Sequence, residues 1–240
     1  MKFITIGILV YCSFNVLVAQ DISGALLLEK AIQYHDPNHQ WNTFDAEFDI
    51  VMDMPKNSKR ISHIHINLPD EYFKVTATRD TIITEYIIDK GNCSISLNGK
   101  TELSKAELFS NNLSCESANM YKNYYTYLYG LPMKLQDEGT NISEKVALKT
   151  FKGKDYLVLK VTYDEAVGND VWYFYFNPET YALEVYQFFK TDEQGNVKTE
   201  SGEYIMLSKT ETINQIKIPK VRAWYYNKDD AYLATDILKQ

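Results

Sequence analysis

The stretch Trp172-Tyr-Phe-Tyr-Phe-Asn-Pro-Glu-Thr-Tyr-Ala-Leu183 decides the fold class of this protein. A run of aromatic residues is followed by Asn-Pro-Glu-Thr, which favours a turn, and then by a second apolar run. A connection this short allows only antiparallel pairing of the two strands, because parallel neighbours need a crossover of about a dozen residues or more. The stretch therefore predicts a β-hairpin.

The rest of the chain repeats this arrangement of apolar runs and short turns. Alternating or β-rich runs predict about eleven strands in all, and no low-complexity linker divides them. The short connections predict that neighbouring strands pair antiparallel. The predicted strands lie at 44–52, 64–68, 71–78, 81–89, 93–97, 146–151, 155–163, 170–176, 181–190, 203–213 and 217–226.

Three segments carry the period of a helix. Residues 22–35 predict an amphipathic helix, Ser104-Lys-Ala-Glu107 predicts a capping box that opens a short second one, and residues 116–130 predict a longer third one before Pro132. The helices fall at two places and do not alternate with the strands, which argues against a doubly wound fold. The predicted fold is mainly β, of the α+β type: a single large curved antiparallel sheet, or half-barrel, with an N-terminal helix and a helical lid.

The N-terminal residues predict a secretory signal peptide. Lys2 precedes an apolar run at 3–18, and small or apolar residues follow up to the cleavage site. A retained membrane anchor is the alternative, but it needs about 20 uninterrupted apolar residues, and Ser13 and Asn15 interrupt this run. We therefore predict export and cleavage, with no transmembrane segment in the mature chain.

The predicted cleavage divides the chain into a signal peptide at 1–20 and a single mature domain at 21–240. Cys12 is not preceded by the small residue that lipid attachment requires, so we predict no lipid anchor. Cleavage leaves Cys93 and Cys115, and two cysteines in an exported chain are most simply one disulfide. The alternative, a thiol nucleophile or a metal-binding pair, lacks the close C-x-x-C spacing.

Composition and charge exclude several classes of function. The 240 residues are 45% hydrophobic and 24% charged, which is typical of a globular protein. The net charge of −7 provides no electrostatic attraction to nucleic acid or to an anionic membrane surface. We predict no nucleic-acid partner, and the sequence leaves any protein partner open.

Candidate catalytic and metal-binding groups are few. His63 and His65 lie two residues apart on a predicted strand, so both rings point to one face and could begin a zinc site, which needs two or more further ligands. The alternative is an exposed polar face opposite Ile64 and Ile66. Lys160 is predicted to face water, and the sequence has no phosphate-binding glycine loop, nucleophile elbow or H-E-x-x-H helix. We predict no catalytic residue, no metal and no cofactor.

Aromatic residues are the most informative feature, at 14% of the chain. The strands at 170–176 and 217–226 are apolar on both faces, whereas an open antiparallel sheet normally has water on one face. Either helices cover the second face, or part of it lines a cavity for an apolar ligand, with the tyrosine-rich helix at 116–130 as the lid. The candidate ligand-binding residues are Tyr121, Tyr124, Tyr125, Leu128, Trp172, Phe174, Arg222 and Trp224.

The Asn-Pro-Glu-Thr turn and the order of the elements resemble the lipoprotein-carrier fold of outer-membrane lipoprotein sorting. Three segments, 34–37, 120–132 and 222–230, are similar to an uncharacterised secreted or periplasmic family of Bacteroidota. The resemblance implies a lipoprotein-carrier-like fold and a location in the periplasm or cell envelope of a Gram-negative bacterium, without an established activity. In those carriers an arginine often ties the lid to the sheet, and Arg222 is the candidate here.

Two functions from different classes follow from these observations. The first is a periplasmic binding or carrier protein for an apolar ligand, such as a lipid or a lipoprotein acyl chain. The second is a non-enzymatic secreted structural or interaction domain of the cell envelope, whose aromatic residues are packed core. An extracellular hydrolase is the least favoured, because acidic residues such as Asp45 and Glu47 alternate with apolar ones and predict a solvated strand face.

Overall fold

The computed structural model describes residues 22–240 and contains one sheet of twelve strands. The predicted signal peptide at 1–20 lies outside the described residues. The strands are β1 (Asp45–Met54), β2 (Asn57–Asn67), β3 (Tyr72–Arg79), β4 (Ile82–Asp89), β5 (Asn92–Leu97), β6 (Thr140–Phe151), β7 (Lys154–Tyr163), β8 (Val171–Phe176), β9 (Leu183–Phe189), β10 (Glu203–Ile213), β11 (Ile216–Tyr226) and β12 (Tyr232–Lys239), and the helices are α1 (Gly24–His35), α2 (Lys105–Ser110) and α3 (Cys115–Gly130).

The sheet is open and antiparallel throughout. Its strand order is β5-β4-β3-β2-β1-β12-β11-β10-β9-β8-β7-β6, so strands that pair in the sheet are also successive in the chain everywhere except at its centre. There β12 pairs with β1 on one side and with β11 on the other, and joins the N-terminal and C-terminal halves. The predicted fold class is confirmed.

The predicted set of about eleven strands does not include β12. Its sequence, Tyr232-Leu-Ala-Thr-Asp-Ile-Leu-Lys239, alternates well, but the set that faces the core is Ala234, Asp236 and Leu238. A carboxylate in the middle of the inward set disguises the apolar pattern that marks a strand. Burial of this charged residue at the centre of the sheet is a tertiary effect that local sequence does not reveal.

The main core lies between one face of the sheet and the helices α1 and α3. The buried side of α3 includes Ala118, Tyr125, Leu128 and Tyr129, as the predicted stripe of a helix at 116–130 requires. Gly130 has no side chain, so Trp41 can pack against the end of the helix. A Cβ at this position would overlap the indole ring. None of the helices within residues 22–240 is long and apolar enough to cross a membrane.

A smaller apolar cluster lies outside the main core. It consists of Tyr156, Val158, Tyr175 and Val185, against which Phe151 from the end of β6 packs. Phe151 is 5.1 Å from Tyr175, ring centroid to ring centroid. The aromatic residues of β7 and β8 therefore have apolar neighbours on both faces of the sheet.

His35 fixes the C-terminal end of α1 to two strands. It is buried, and its Nδ1 donates to the Lys217 carbonyl at 2.6 Å, while its Nε2 accepts from the Leu183 backbone N–H at 3.0 Å. These contacts assign the neutral tautomer with the proton on Nδ1. Burial lowers the pKa of His35 from 6.5 to about 4, since a second ring proton would lose water and would face the Leu183 N–H.

We predict that the stability of the protein falls as the pH is lowered from 6.5 to about 4. In this interval the unfolded chain binds a proton at His35 and the folded chain does not, so protonation favours unfolding by up to about 3 kcal/mol. His35→Gln removes this titration and should give a shallower pH dependence, from a lower stability at neutral pH. Urea unfolding at a series of pH values measures the difference, with His39→Asn as the exposed control. Equal slopes for wild type and His35→Gln would contradict the assignment.

A disulfide joins the edge strand β5 to the start of α3. Cys93 and Cys115 are bonded, and their Cα atoms lie 5.8 Å apart, within the usual range for a disulfide. The alternative readings of these cysteines, a nucleophile or a metal pair, are therefore replaced by a structural role. The bond holds the N-terminal end of α3 to the sheet.

We predict that Cys93→Ala/Cys115→Ala lowers the free energy of unfolding by about 3 kcal/mol. The bond closes a segment with a sequence separation of 22, and a loop of that size restricts the unfolded chain by roughly this amount. Denaturant unfolding of the variant and of reduced wild type should give matching losses. An unchanged midpoint, or two free thiols in protein purified from an oxidising compartment, would contradict the prediction.

Candidate ligand-binding site

A cavity of about 610 Å³ lies between α3 and the C-terminal half of the sheet. This volume is within the range that small-molecule sites occupy. The helix forms one wall, and β8, β9, β10 and β11 contribute to the opposite one. The lining residues are Asn123, Tyr124, Thr126, Tyr127, Leu128, Lys134, Asp137, Glu138, Thr140, Tyr163, Val167, Gly168, Asp170, Trp172, Phe188, Glu203 and Trp224.

Aromatic rings form the interior of this cavity. Trp172 stacks on Phe188 across β8 and β9, with ring centroids 4.8 Å apart. Tyr127 from α3 meets the edge of Trp172 at 5.6 Å, and its hydroxyl shares a hydrogen bond with the Tyr163 hydroxyl. The site therefore offers large apolar ring surfaces, and the hydroxyls of Tyr127 and Tyr163 within it are already partnered.

One end of the cavity borders a buried polar centre. Trp224 Nε1–H donates to Asp236 Oδ2 at 3.2 Å, and the Tyr124 hydroxyl donates to the same oxygen at 3.4 Å. The two rings are stacked, with centroids 6.2 Å apart. Asp236 is 1% exposed, and burial raises the pKa of its carboxyl, while Arg222 and Arg60 oppose that rise.

Arg222 links the sheet to the helix above it. The residue is 1% exposed, and its guanidinium lies over the Tyr129 ring, 3.8 Å from the ring centroid. Its Nη2 donates to the Leu128 carbonyl at 3.3 Å, and its Nη1 donates to the Pro219 carbonyl at 2.8 Å. Arg222 is also the cross-strand neighbour of Asp236. An arginine thus ties α3 to the sheet at the position that the sequence suggested.

Charged side chains cluster at the mouth of the cavity. Lys134 pairs with Asp137. Asp170 and Glu203 are half-buried and lie at the starts of β8 and β10, the two strands that pair with β9. Burial raises the pKa of the carboxyls of Asp170 and Glu203, and Lys190 opposes the rise at both.

The structure brings together half of the predicted ligand-binding residues. Tyr124, Leu128, Trp172 and Trp224 line the cavity. The others lie next to it: Tyr125, Phe174 and Arg222 are fully buried in the core, and Tyr121 stacks on Tyr86 over the N-terminal half of the sheet. Their assignment to ligand binding stays a prediction.

Several lining residues were not predicted. Tyr163 and Phe188 end their strands at the cavity, and the aromatic excess at strand ends could have indicated them. Asp170 and Glu203 come from loops or strand starts far apart in the chain, and only the strand pairing places both at one end of the sheet. No local signal in the sequence marks them.

The histidines of β2 lie on the exposed strand face. His63 contacts the Asp49 carboxylate at 2.7 Å and His65 contacts that of Asp45 at 2.8 Å, both across the β1–β2 pair. Within residues 22–240 no group of three or more potential ligands is arranged to hold a metal ion. The geometry therefore favours cross-strand hydrogen bonds over a zinc site.

Fold and cavity together define an open-sheet β protein with an aromatic cavity beneath a helix. The chain belongs to DUF6503, a family of unknown function whose model matches residues 4–239. Membership of an uncharacterised family is thus confirmed, while the predicted origin in Bacteroidota stays a prediction. No curated protein matches the chain.

Two solved structures are similar to this one. A DUF1329 family protein from Desulfovibrio piger has a TM-score of 0.50 at 10% identity, over 91% of this chain and 92% of that chain. A LolA superfamily protein from Nitrosomonas europaea has a TM-score of 0.49 at 12% identity, again over 91% and 92% of the two chains. At this level of identity the likeness to the DUF1329 protein shows a shared fold and carries no function with it.

We predict that Arg222 and Asp236 are energetically coupled beneath α3. Arg222→Met should destabilise by about 3–5 kcal/mol, because Asp236 then keeps a buried charge with less compensation. Asp236→Asn should relieve part of that loss, so the double variant should be more stable than the two single effects predict, by about 1–3 kcal/mol.

A double-mutant cycle of unfolding free energies measures this coupling. The matched control is the partly exposed Lys220–Glu211 pair on β10 and β11, at 2.6 Å, for which Lys220→Met and Glu211→Gln should couple by less than about 1 kcal/mol. Additive effects at Arg222 and Asp236 would show that the two groups do not interact.

Proposed function

We propose that the protein binds an apolar small molecule or a lipid chain in the cavity beneath α3, as a binding or carrier protein of the bacterial cell envelope. The observation that carries this proposal is the aromatic cavity of about 610 Å³. Small-molecule sites are concave, mostly apolar clefts of about 300–1,000 Å³ with a few polar groups. An open cavity of this size among Trp172, Phe188 and Trp224 therefore favours a ligand-binding role.

The chemistry of the wall supports an apolar occupant. The rings of Tyr127, Trp172 and Phe188 present their faces or edges to the cavity. The hydroxyls of Tyr127 and Tyr163 bond to each other and that of Tyr124 bonds to Asp236, so a hydrocarbon chain beside these rings leaves the three hydroxyls paired. Removing apolar surface from water contributes about 25 cal/mol per Å² to binding before the costs of association.

Export supports the envelope location. The predicted signal peptide and the Cys93–Cys115 disulfide both fit an oxidising compartment, since disulfides are rare in the cytosol. The fold itself does not identify a partner. A carrier would hand its ligand to a second protein or membrane, and the binding role proposed here does not require one.

The second candidate is a structural or interaction domain without a ligand. The full burial of Tyr125 and Phe174 favours it, because it shows that part of the aromatic excess is ordinary core. The two candidates differ in what the cavity does: a binding protein loses its function when the space is filled, and a structural domain does not.

We predict that Gly168→Trp weakens binding of a neutral apolar probe. Gly168 lines the cavity, and a Cβ at this position meets no atom within 4 Å, so the indole can enter the space without a backbone clash. Titration with N-phenyl-1-naphthylamine, followed by its fluorescence, should show at least a tenfold loss of affinity, or about 1.4 kcal/mol.

Gly168→Ala is the matched control, since a methyl group leaves the cavity open. It should bind the probe like wild type, and both variants should keep the wild-type melting temperature within a few degrees. If the wild-type protein binds no apolar probe, or if the tryptophan variant binds as well as the alanine variant, the binding proposal fails and the structural candidate stands.

A further inference from the structure

Among residues 22–240, no lysine, arginine or histidine forms an ion pair with Asp170 or Glu203, two carboxylates at the mouth of the cavity. Asp170 precedes β8 and Glu203 begins β10, and both strands pair with β9, so the two side chains flank the same strand end. Both residues belong to the cavity wall. Neither carboxylate owes any part of its pKa shift to a hydrogen bond within residues 22–240; burial and Lys190 are the causes.

The remaining charges near the mouth do not neutralise these two groups. Lys134 is held by Asp137, and Glu138 adds a further negative charge. Lys190, at the end of β9, is exposed and is the one cation whose charge acts on both Asp170 and Glu203. Among the lining residues, four carboxylates therefore stand against one lysine, and the mouth is negative.

The aromatic wall next to these carboxylates is suited to a positive charge. The face of an aromatic ring attracts a cation through its quadrupole, and tryptophan does so most strongly. Trp172 lies two residues after Asp170 on the same side of β8, stacked on Phe188, whose cross-strand neighbour in β10 is Glu203. Carboxylates and ring faces thus converge on the same end of the cavity.

We propose that the ligand is a cationic amphiphile, with an apolar body in the aromatic cavity and an ammonium or similar positive group between Asp170 and Glu203. This inference rests on the proposed function and names the chemical class of its ligand. A half-buried carboxylate without a counter-ion is unfavourable, and a bound cation would relieve that cost. An anionic headgroup, such as a free fatty acid carboxylate, would instead be repelled by both groups.

The experiment compares three amphiphiles with the same twelve-carbon chain. Dodecyltrimethylammonium, the neutral octaethylene glycol dodecyl ether and dodecyl sulfate are titrated, below their micellar concentrations, against protein loaded with N-phenyl-1-naphthylamine, and displacement gives the affinities. The ammonium compound should bind at least about tenfold more tightly than the neutral ether, and dodecyl sulfate the most weakly.

Three charge variants assign this preference to the two carboxylates. Asp170→Asn/Glu203→Gln should remove the preference, so that the ammonium compound and the neutral ether bind with similar affinity. The control Glu144→Gln/Glu179→Gln changes the net charge equally at exposed positions away from the cavity and should retain the preference. Lys190→Gln should strengthen binding of the ammonium compound, because it removes the nearest competing cation.

The outcomes separate this inference from the function on which it rests. If the neutral ether and dodecyl sulfate bind as well as the ammonium compound, or if the control variant loses the preference as well, the cationic ligand is excluded while apolar binding stands. If neither the probe nor any of the three amphiphiles binds to the protein, both proposals fail.

Discussion

The buried contact between α3 and the centre of the sheet is the constraint on which the rest of the structure depends. Asp236 lies on β12, the strand that joins the two halves of the sheet, and accepts hydrogen bonds from Trp224 and Tyr124. Arg222, its cross-strand neighbour, holds the helix by the Leu128 carbonyl. Charged groups buried this deeply are tolerated only with partners. The same contacts therefore fix the position of the helix, the junction between the two halves of the sheet and one end of the cavity.

The sequence predicted most of the fold because most of the fold is local. Pairing between successive strands of the chain accounts for ten of the eleven strand pairs, and the period of α3 identifies its buried side. What could not be predicted is the long-range step, the insertion of β12 between β1 and β11. The inward-facing Asp236 gives β12 the sequence pattern of an exposed strand. Arg222 and Trp224 of β11 stabilise this carboxylate in its buried position.

The candidate site was predictable to the extent that single residues reveal their environment. Trp172 and Trp224 were predicted because they are large aromatic residues on strands that are apolar on both faces, and both line the cavity. Tyr125 and Phe174 gave the same signal and lie in the core, because composition cannot distinguish a ring that faces a cavity from one that is fully packed. The carboxylates at the mouth depend on strand register, which the sequence does not specify for residues this far apart.

The choice of tyrosine on α3 follows from the position of this helix between two environments. Its inner side must contact a charged centre and an apolar cavity within one or two turns. The ring of Tyr124 stacks on Trp224 while its hydroxyl reaches Asp236, and the ring of Tyr127 lines the cavity while its hydroxyl bonds to Tyr163. Leucine or phenylalanine would supply the apolar surface but would leave Asp236 and Tyr163 without these partners. Tyrosine combines both functions in one side chain, so a helix rich in it can cover a cavity and close a polar junction together.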